Sequence, residues 1–258
     1  MTLTHITMTL NDFINPKYVV TNPDDCDYSD IDLYIQTAQA FARGIYHPVF
    51  IIDYCRRNIL YASDNFMYLC GMTHEEFKEQ GSHLYFDNVP EEEKPMLAEI
   101  INKSMDLMYS LPMEVRPKIT ISYYVSLMKD RRKRLVLQKF TPLRFTNDGK
   151  LWLMLCTISV SSRKKPGMPI IREMGDHDFY FYSLEKHEWF RREGFTLTEM
   201  EKDILQYSSQ GYTMKEIADA MHKSEDAIKS IKRVLFAKLN VRSITEAVFA
   251  AINHDLIH

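Results

Sequence analysis

The sequence lacks the short motifs that many catalytic and metal sites require. Its 8 glycines form no phosphate-binding loop, and neither G-x-S-x-G nor H-E-x-x-H is present. Its 4 cysteines form no C-x-x-C pair and no His/Cys cluster at zinc-ligand spacing, which favours reduced, buried thiols. We therefore expect no metal site and no enzymatic activity, and nothing in the sequence identifies a cofactor.

Long apolar runs and an excess of one charge sign are also missing. No segment approaches about 18 uninterrupted apolar residues, and the first seven residues have no basic region. We therefore expect neither a membrane helix nor a signal peptide, and we predict a cytoplasmic protein. The formal net charge of −3 means that any contact with nucleic acid must come from a local basic patch.

Breaks in the sequence pattern divide the 258 residues into four segments. Residues 1–30 form an N-terminal arm that ends in a polar run, and residues 31–162 show mixed strand-like and helix-like patterns. A basic stretch with proline and glycine then opens a linker or docking segment at 163–194. Residues 195–258 are helical in pattern throughout. The fold class predicted is α+β, with a sheet domain followed by an all-α domain.

Helix start signals are unusually clear in the last segment. Thr198, Thr213 and Ser243 are each followed three residues later by a glutamate, which is the capping-box pattern. Ser224 supplies a fourth N-cap, and Gly211 stands where a left-handed residue closes a helix. These signals predict helices near 198–210, 213–221, 224–239 and 243–254.

The third of these helices has one apolar face and one cationic face. At 100° per residue, Ala227, Ile228, Ile231 and Leu235 share the buried side. Four residues lie opposite, and Lys232 lies on the flank. The four are Asp226, Lys229, Ser230 and Arg233. A short helix, a turn and a longer cationic helix form a helix-turn-helix, whose second helix enters the major groove of DNA.

At these positions the sequence resembles the LuxR-type helix-turn-helix family. The resemblance covers about 195–255 and is carried by residues 196–201, Leu205, Gly211, 215–218, Ser224, 228–229, 238–241 and 245–248. It implies a four-helix domain that binds double-stranded DNA, commonly as a homodimer packed through its last helix. In this sequence the last helix is the one that carries Ala247, Val248, Ala251 and Ile252.

The resemblance also implies roles for individual side chains. Lys229, Ser230 and Arg233 correspond to positions that face base edges. A second set corresponds to phosphate contacts or caps. Its members are Lys215, Ser224, Lys238 and Arg242. Two residues depart from the family pattern, because Ala227 replaces a usual threonine and Ile231 a common histidine.

The front segment predicts two strands, a helical middle and three antiparallel strands. The strand-like runs are 49–52, 58–61, 119–127, 134–141 and 151–158, with a hairpin turn at 147–149. Together with residues 61–66, 69–73 and 75–77, this order resembles a PAS domain. The resemblance implies a five-stranded antiparallel sheet with helices over one face, and a ligand pocket or dimer surface that receives a small-molecule or protein signal.

Several aromatic residues are candidates for a ligand pocket, although the same positions also suit core packing. The candidates are Tyr61, Phe66, Tyr123, Phe140 and Trp152. The basic run 131–134 is typical of a solvated hairpin tip. His177, between two carboxylates, suits half a metal site or, as we favour, a surface loop before an aromatic docking strand. We expect this region to couple the two domains.

The sequence features are consistent with three candidate functions to different degrees. A DNA-binding transcription regulator under PAS-like control fits best. A protein-interaction regulator with a degenerate helix-turn-helix is the alternative, and the departures at Ala227 and Ile231 motivate it. A response regulator fits less well, because the front segment lacks a parallel βα repeat with an acidic cluster after its first strand.

Overall fold

The computed structural model divides into two compact units, Met1–Arg192 and Glu193–His258. It describes residues 15–18, 20–64, 87–129, 132–161, 163–176, 178–194, 196–253 and 256–257. Within these described ranges, a sheet and two long helices form the first unit, and helices form the second. The α+β class predicted from sequence is confirmed.

One antiparallel sheet of eight strands forms the centre of the first unit, in the order β2-β1-β5-β4-β3-β6-β7-β8. The strands are β1 (Val49–Asp53), β2 (Asn58–Ala62), β3 (Ile119–Lys129), β4 (Arg132–Phe145), β5 (Leu151–Val160), β6 (Gly167–Glu173), β7 (Phe179–Ser183) and β8 (Glu188–Arg192). All five strands expected from the sequence are present. β1 and β2 pair as a hairpin, and Gly149 has a φ of +80° in the turn between β4 and β5.

The expectation of only five strands, with a linker at 163–194, was wrong. β6 pairs with the outer edge of β3, and the β7–β8 hairpin continues the sheet from β6. The physical reason is that β3 has a second row of backbone hydrogen-bonding groups, and β6 satisfies them while burying Ile171 completely. Pro166 lies in the bend before β6, and Gly167 and Pro169 lie within β6 itself.

Two helices cover opposite faces of the sheet. Successive residues of a strand point to opposite faces, and Phe50 belongs to one apolar cluster while Val49 and Ile51 belong to another. Helix α1 (Ile31–Ile45) contributes Ala38 and Ala42 to the cluster of Val49, whereas helix α2 (Lys94–Ser110) packs against the cluster of Phe50.

Four helices form the second unit, as predicted. They are α3 (Glu199–Ser209), α4 (Met214–Ala220), α5 (Glu225–Leu239) and α6 (Ile244–Asn253). Each contributes to one apolar core, with Ile204, Ile217, Leu235 and Ala247 among the buried residues. Gly211 has a φ of +86° just after α3, which is the left-handed conformation expected there.

Candidate nucleic-acid interface

Side-chain caps fix the ends of α4 and α5 around a short turn. The Thr213 hydroxyl accepts from the backbone N–H of Glu216 at 3.3 Å, and the Glu216 carboxylate accepts from the N–H of Thr213 at 2.7 Å. The Ser224 hydroxyl accepts from the N–H of Ala227 at 3.2 Å, which starts α5. His222 in the turn has a φ of 52°. Ser224 therefore holds the first turn of α5 in place.

The faces of α5 lie where the helical periodicity predicts. Ile228 and Leu235 are fully buried, and Ala227 and Ile231 are half-buried beside them. The opposite face is exposed to solvent and carries Lys229, Ser230 and Arg233, together with Asp226. The two departures from the family pattern therefore lie at the packed side of the helix and leave the exposed face unchanged.

Charge on this exposed face is partly compensated within the helix. Lys229 Nζ lies 3.0 Å from Asp226 Oδ1, one helical turn earlier. This hydrogen bond raises the pKa of the already cationic Lys229. On the flank, Lys232 is half-buried, and burial lowers its pKa. Lys229 must give up its bond to Asp226 before it can contact DNA through the same proton donors.

The structure gives Lys238 a different partner from the phosphate suggested by the resemblance. Its Nζ lies 2.7 Å from Oε2 of Glu201, a carboxylate in the first turn of α3 that is only 3% exposed. The same oxygen accepts from the backbone N–H of Thr198 at 2.8 Å. Burial favours the neutral acid, but the hydrogen bonds from Lys238 and Thr198 outweigh it and lower the pKa of Glu201. Lys238 thus holds α3 and α5 together.

Two other predicted contacts lie on exposed parts of the same unit. Lys215 is in the first turn of α4, and Arg242 lies two residues before the start of α6. The Ser243 hydroxyl accepts from the N–H of Glu246 at 3.1 Å, while the Glu246 carboxylate accepts from the N–H of Arg242 at 2.9 Å. The capping box predicted at Ser243 is thus displaced by one residue on its carboxylate side.

The last helix buries two of the four residues that we named for it. Ala247 and Ala251 are 0% exposed and belong to the core of the unit, and Val248 is half-buried. Phe249 and Ile252 are 41% and 54% exposed. The core of the unit therefore covers Ala247 and Ala251, whereas Ile252 lies on the exposed side of the helix.

The aromatic candidates in the first unit do not form one group. Tyr123 and Phe140 stack at 5.3 Å between ring centroids, within the cluster that α2 covers. Tyr61 and Trp152 belong to the other cluster, on the side of α1. Phe66 lies outside the described residues. A single pocket lined by all five residues is therefore contradicted, since the sheet separates the two pairs.

The remaining candidate sites have protein partners. Lys133, in the basic run 131–134, lies 2.9 Å from Glu93 and 3.2 Å from Glu92. Arg191 pairs with Asp176 and Asp178 at 3.1 and 3.2 Å. His177 between them falls outside the described residues. Within the described ranges, no group of three His, Cys, Asp or Glu side chains could hold a metal ion.

One network in the first unit carried no signal in the sequence. The Tyr182 hydroxyl donates to Glu99 Oε1 at 2.6 Å, and His187 Nδ1 lies 2.6 Å from the same oxygen. These contacts tie the β7–β8 hairpin to α2 across more than 80 positions of sequence.

None of the helices in the described part of the chain combines the length and apolar character that crossing a membrane requires.

Comparison with known proteins identifies only the second unit. Residues 196–251 match the family described as bacterial regulatory proteins, luxR family. Over 61 residues the chain is 46% identical to the transcriptional regulatory protein ComA of Bacillus subtilis and 39% identical to the response regulator protein VraR of Staphylococcus aureus. Those 61 residues are 24% of this chain, 28% of ComA and 29% of VraR, so the chain spans less than a third of these curated relatives.

Solved structures align over more of the chain at lower similarity. A structure described as VqmA bound to DPO is 14% identical, covers 88% of this chain and 87% of its own, and has a TM-score of 0.30. A Vibrio cholera VqmA-ligand-DNA complex is 14% identical with the same coverage and a TM-score of 0.28. From the family match, the caps and the helix order, the C-terminal domain of this chain is a LuxR-type helix-turn-helix domain.

Proposed function

We propose that the chain is a DNA-binding transcription regulator in which α5 enters the major groove. The observation that carries this proposal is the exposed face of α5, where Lys229, Ser230 and Arg233 project from a helix whose opposite side is fixed in the core. A rigid backing is needed because base recognition depends on side chains held at defined positions in the groove.

Within this proposal the basic residues have separate roles. Lys229, Ser230 and Arg233 contact base edges, since all three lie on the outward face of α5. Lys215 and Arg242, both exposed near helix ends, contact phosphates and set the orientation of the domain. Two further residues support the site without needing to touch DNA: Ser224 as the cap of α5, and Lys238 through Glu201. Lys232 contributes from the flank.

We propose that the regulator acts as a homodimer. Phe249 and Ile252 leave apolar surface on the outer side of α6, which suits a contact between two copies of the domain. A two-fold dimer would recognise two half-sites arranged as an inverted repeat. Its proposed target is double-stranded DNA, and its proposed place of action is the cytoplasm. The proposed role is regulatory and involves no catalysis.

The first unit is proposed to be a PAS-like sensor that controls this activity. Strands β1 to β5 form the antiparallel sheet that the resemblance implies, with α2 against one face. The signal is a small molecule or a protein, and the β7–β8 hairpin, which immediately precedes the second unit, is the proposed route of coupling. This sensor corresponds to the segment predicted at 31–162, extended through β8.

A protein-interaction regulator that does not bind DNA is the second candidate. The observation that favours it is Val234, which is 51% exposed on α5 next to Arg233. An exposed valine suits an apolar partner better than a phosphate. The ion pair between Asp226 and Lys229 on the same face also weakens the local positive field.

Selection of genomic DNA fragments by the purified full-length protein separates the two candidates. We expect enrichment of a shared site by the wild type, weakened about 10- to 100-fold by Arg233→Ala. Lys229→Ala should also relax the selected sequence. Lys202→Ala is the matched control, because Lys202 is a partly exposed lysine on α3 that pairs with Glu199 at 2.8 Å.

Salt titration on the retained fragment supplies the second measurement. Affinity that depends on several phosphates falls steeply as salt rises, whereas an apolar protein contact does not. Failure to enrich any fragment at low salt, with and without cell extract as a source of signal, would contradict DNA binding. Equal losses for Lys202→Ala and Arg233→Ala would contradict the assignment of the site to α5.

A further inference from the structure

A cavity of about 590 Å³ opens in the first unit where the segment before α1 meets the β1–β2 turn. The first of these segments contains the 3₁₀ turn Pro23–Asp25, and the second spans residues 54–57. Two cysteines, Cys26 and Cys55, line the cavity together with Arg56. All three residues belong to the first unit, and none of them is part of the proposed DNA contact.

Polar contacts hold the two segments in a fixed relation. The Tyr28 hydroxyl donates to Asp53 Oδ2 at 2.8 Å, and Asp53 Oδ1 accepts from the backbone N–H groups of Cys55 and Arg56, each at 2.9 Å. The guanidinium of Arg56 lies 3.7 Å from the ring centroid of Tyr28. These contacts set the segment that carries Cys26 against the turn that carries Cys55.

The two thiols differ in accessibility. Cys26 is 6% exposed and belongs to the apolar cluster of α1, while Cys55 is half-buried and packs against that cluster. Burial and then the neighbouring thiol of Cys55 raise the pKa of Cys26 to about 12. Cys26 therefore stays protonated, and Cys55 is the thiol that meets a reagent entering from the cavity first.

We infer that Cys26 and Cys55 are a reversible modification site, at which a small-molecule disulfide oxidises the pair to an intramolecular disulfide. The Cys55 thiolate attacks one sulfur of the small disulfide, forms a mixed disulfide and releases one small thiolate. Cys26 gives its proton to that thiolate and attacks the Cys55 sulfur. The second small thiolate leaves and takes up the proton that Cys55 lost to solvent before the first step. The pair loses two electrons and two protons, and the oxidant leaves as two thiols.

The product would tie the segment before α1 to the β1–β2 hairpin. The closed loop runs from Cys26 to Cys55 and contains the whole of α1. Such a cross-link limits the freedom of the unfolded chain, so oxidation should raise the midpoint of thermal unfolding by roughly 5–10 °C. The hydrogen bond between Tyr28 and Asp53 already holds these two segments together.

Mass spectrometry of the full-length reduced protein, treated with oxidised glutathione and then alkylated, tests the inference. Trypsin cleaves after Lys17, Arg43 and Arg56, which places the two cysteines in the separate peptides 18–43 and 44–56. We expect these two peptides to be linked in the wild type. Cys26→Ser should accumulate glutathione on Cys55, and Cys55→Ser should leave Cys26 unmodified.

A control variant, a folding check and a thermal-unfolding measurement accompany the mass spectrometry. Cys156→Ser should behave as the wild type, because Cys156 is fully buried in the other cluster. Tryptophan fluorescence of each variant checks that the first unit is folded, and Cys26→Ala replaces Cys26→Ser if the serine variant is not. Oxidised wild type should show the higher melting midpoint, whereas oxidised single variants should not.

The inference is overturned by any of three results. The first is accumulation of glutathione on Cys55 in the wild type to the same extent as in Cys26→Ser, which would mean that Cys26 does not resolve the mixed disulfide. The second is the absence of any reaction at either cysteine while the protein remains folded. The third is that the linked peptides come only from two different chains, which mixing of isotope-labelled and unlabelled protein would reveal.

Discussion

Replacing Lys238 with methionine removes the cation that faces a buried carboxylate in the second unit. Lys238 Nζ is 2.7 Å from Glu201 Oε2, and methionine keeps most of the apolar stem. Removing one member of a buried ion pair costs about 3–5 kcal/mol. The Lys238 side chain is 36% exposed, so solvent screens the pair, and Glu201 keeps its bonds from Thr198. We expect the free energy of unfolding of the second unit to fall by about 2 kcal/mol.

The pH dependence gives this prediction its sharper form. Burial opposes ionisation of Glu201, but the hydrogen bonds from Lys238 and Thr198 lower its folded-state pKa below the ordinary value of 4.5. Its ionised form therefore stabilises the fold above about pH 4.5, and this contribution is lost as pH falls through the folded-state pKa. The difference between wild type and Lys238→Met should be complete near pH 7 and shrink below pH 4.5.

Two spectroscopic probes separate the two units in one sample of the full chain. Both tryptophans, Trp152 and Trp189, lie in the first unit, whereas α3 to α6 contribute strongly to the far-ultraviolet circular dichroism. In urea titrations the helical signal should shift and the tryptophan signal should not. Lys202→Met removes an exposed pair and should have little effect. Equal shifts in both variants, or a Lys238→Met effect that persists unchanged at pH 3, would refute the reasoning.

Three further predictions concern the helix-turn-helix domain. Asp226→Asn frees Lys229 from its ion pair and removes a negative charge from the exposed face of α5. The affinity for DNA should therefore rise by up to about tenfold at 0.1 M salt. Fluorescence anisotropy across a salt series measures this affinity. Thr213→Ala removes the hydroxyl of the capping box with Glu216, and urea titration should show a loss of about 1 kcal/mol. Gly211→Ala should cost about 1 kcal/mol in the same assay through backbone strain alone, because Gly211 has a φ of +86° with open space around it. An unchanged midpoint in either stability test, or lower DNA affinity for Asp226→Asn, would contradict the corresponding prediction.

Helix ends were predictable because their signals are local. A capping box involves residues only three positions apart, so the boxes at Thr198 and Thr213 could be identified without tertiary information. The exposed and buried faces of α5 follow from helical periodicity in the same way. The β1–β2 hairpin also involves neighbouring residues, and its pairing was predicted correctly.

Contacts between distant segments could not be predicted by these means. β6 pairs with β3 across more than 40 positions, and short strands near proline and glycine carry no sign of the edge that they will join. Glu201 and Lys238 are 37 positions apart. The family resemblance suggested that Lys238 contacts a phosphate. Only the fold shows that Lys238 forms an ion pair with the buried carboxylate of Glu201.

The last helix shows how far a family resemblance can be taken at the level of single residues. It indicates a helix, but the side chains available for a partner depend on how that helix is rotated against its own domain. Ala247 and Ala251 are one turn apart and fully buried, so they specify the inward face, and their small size allows close packing. The outward face therefore begins with Phe249 and Ile252. Any contact between two copies of this helix must use that face, because α6 can offer the alanines to a partner only by leaving its own core.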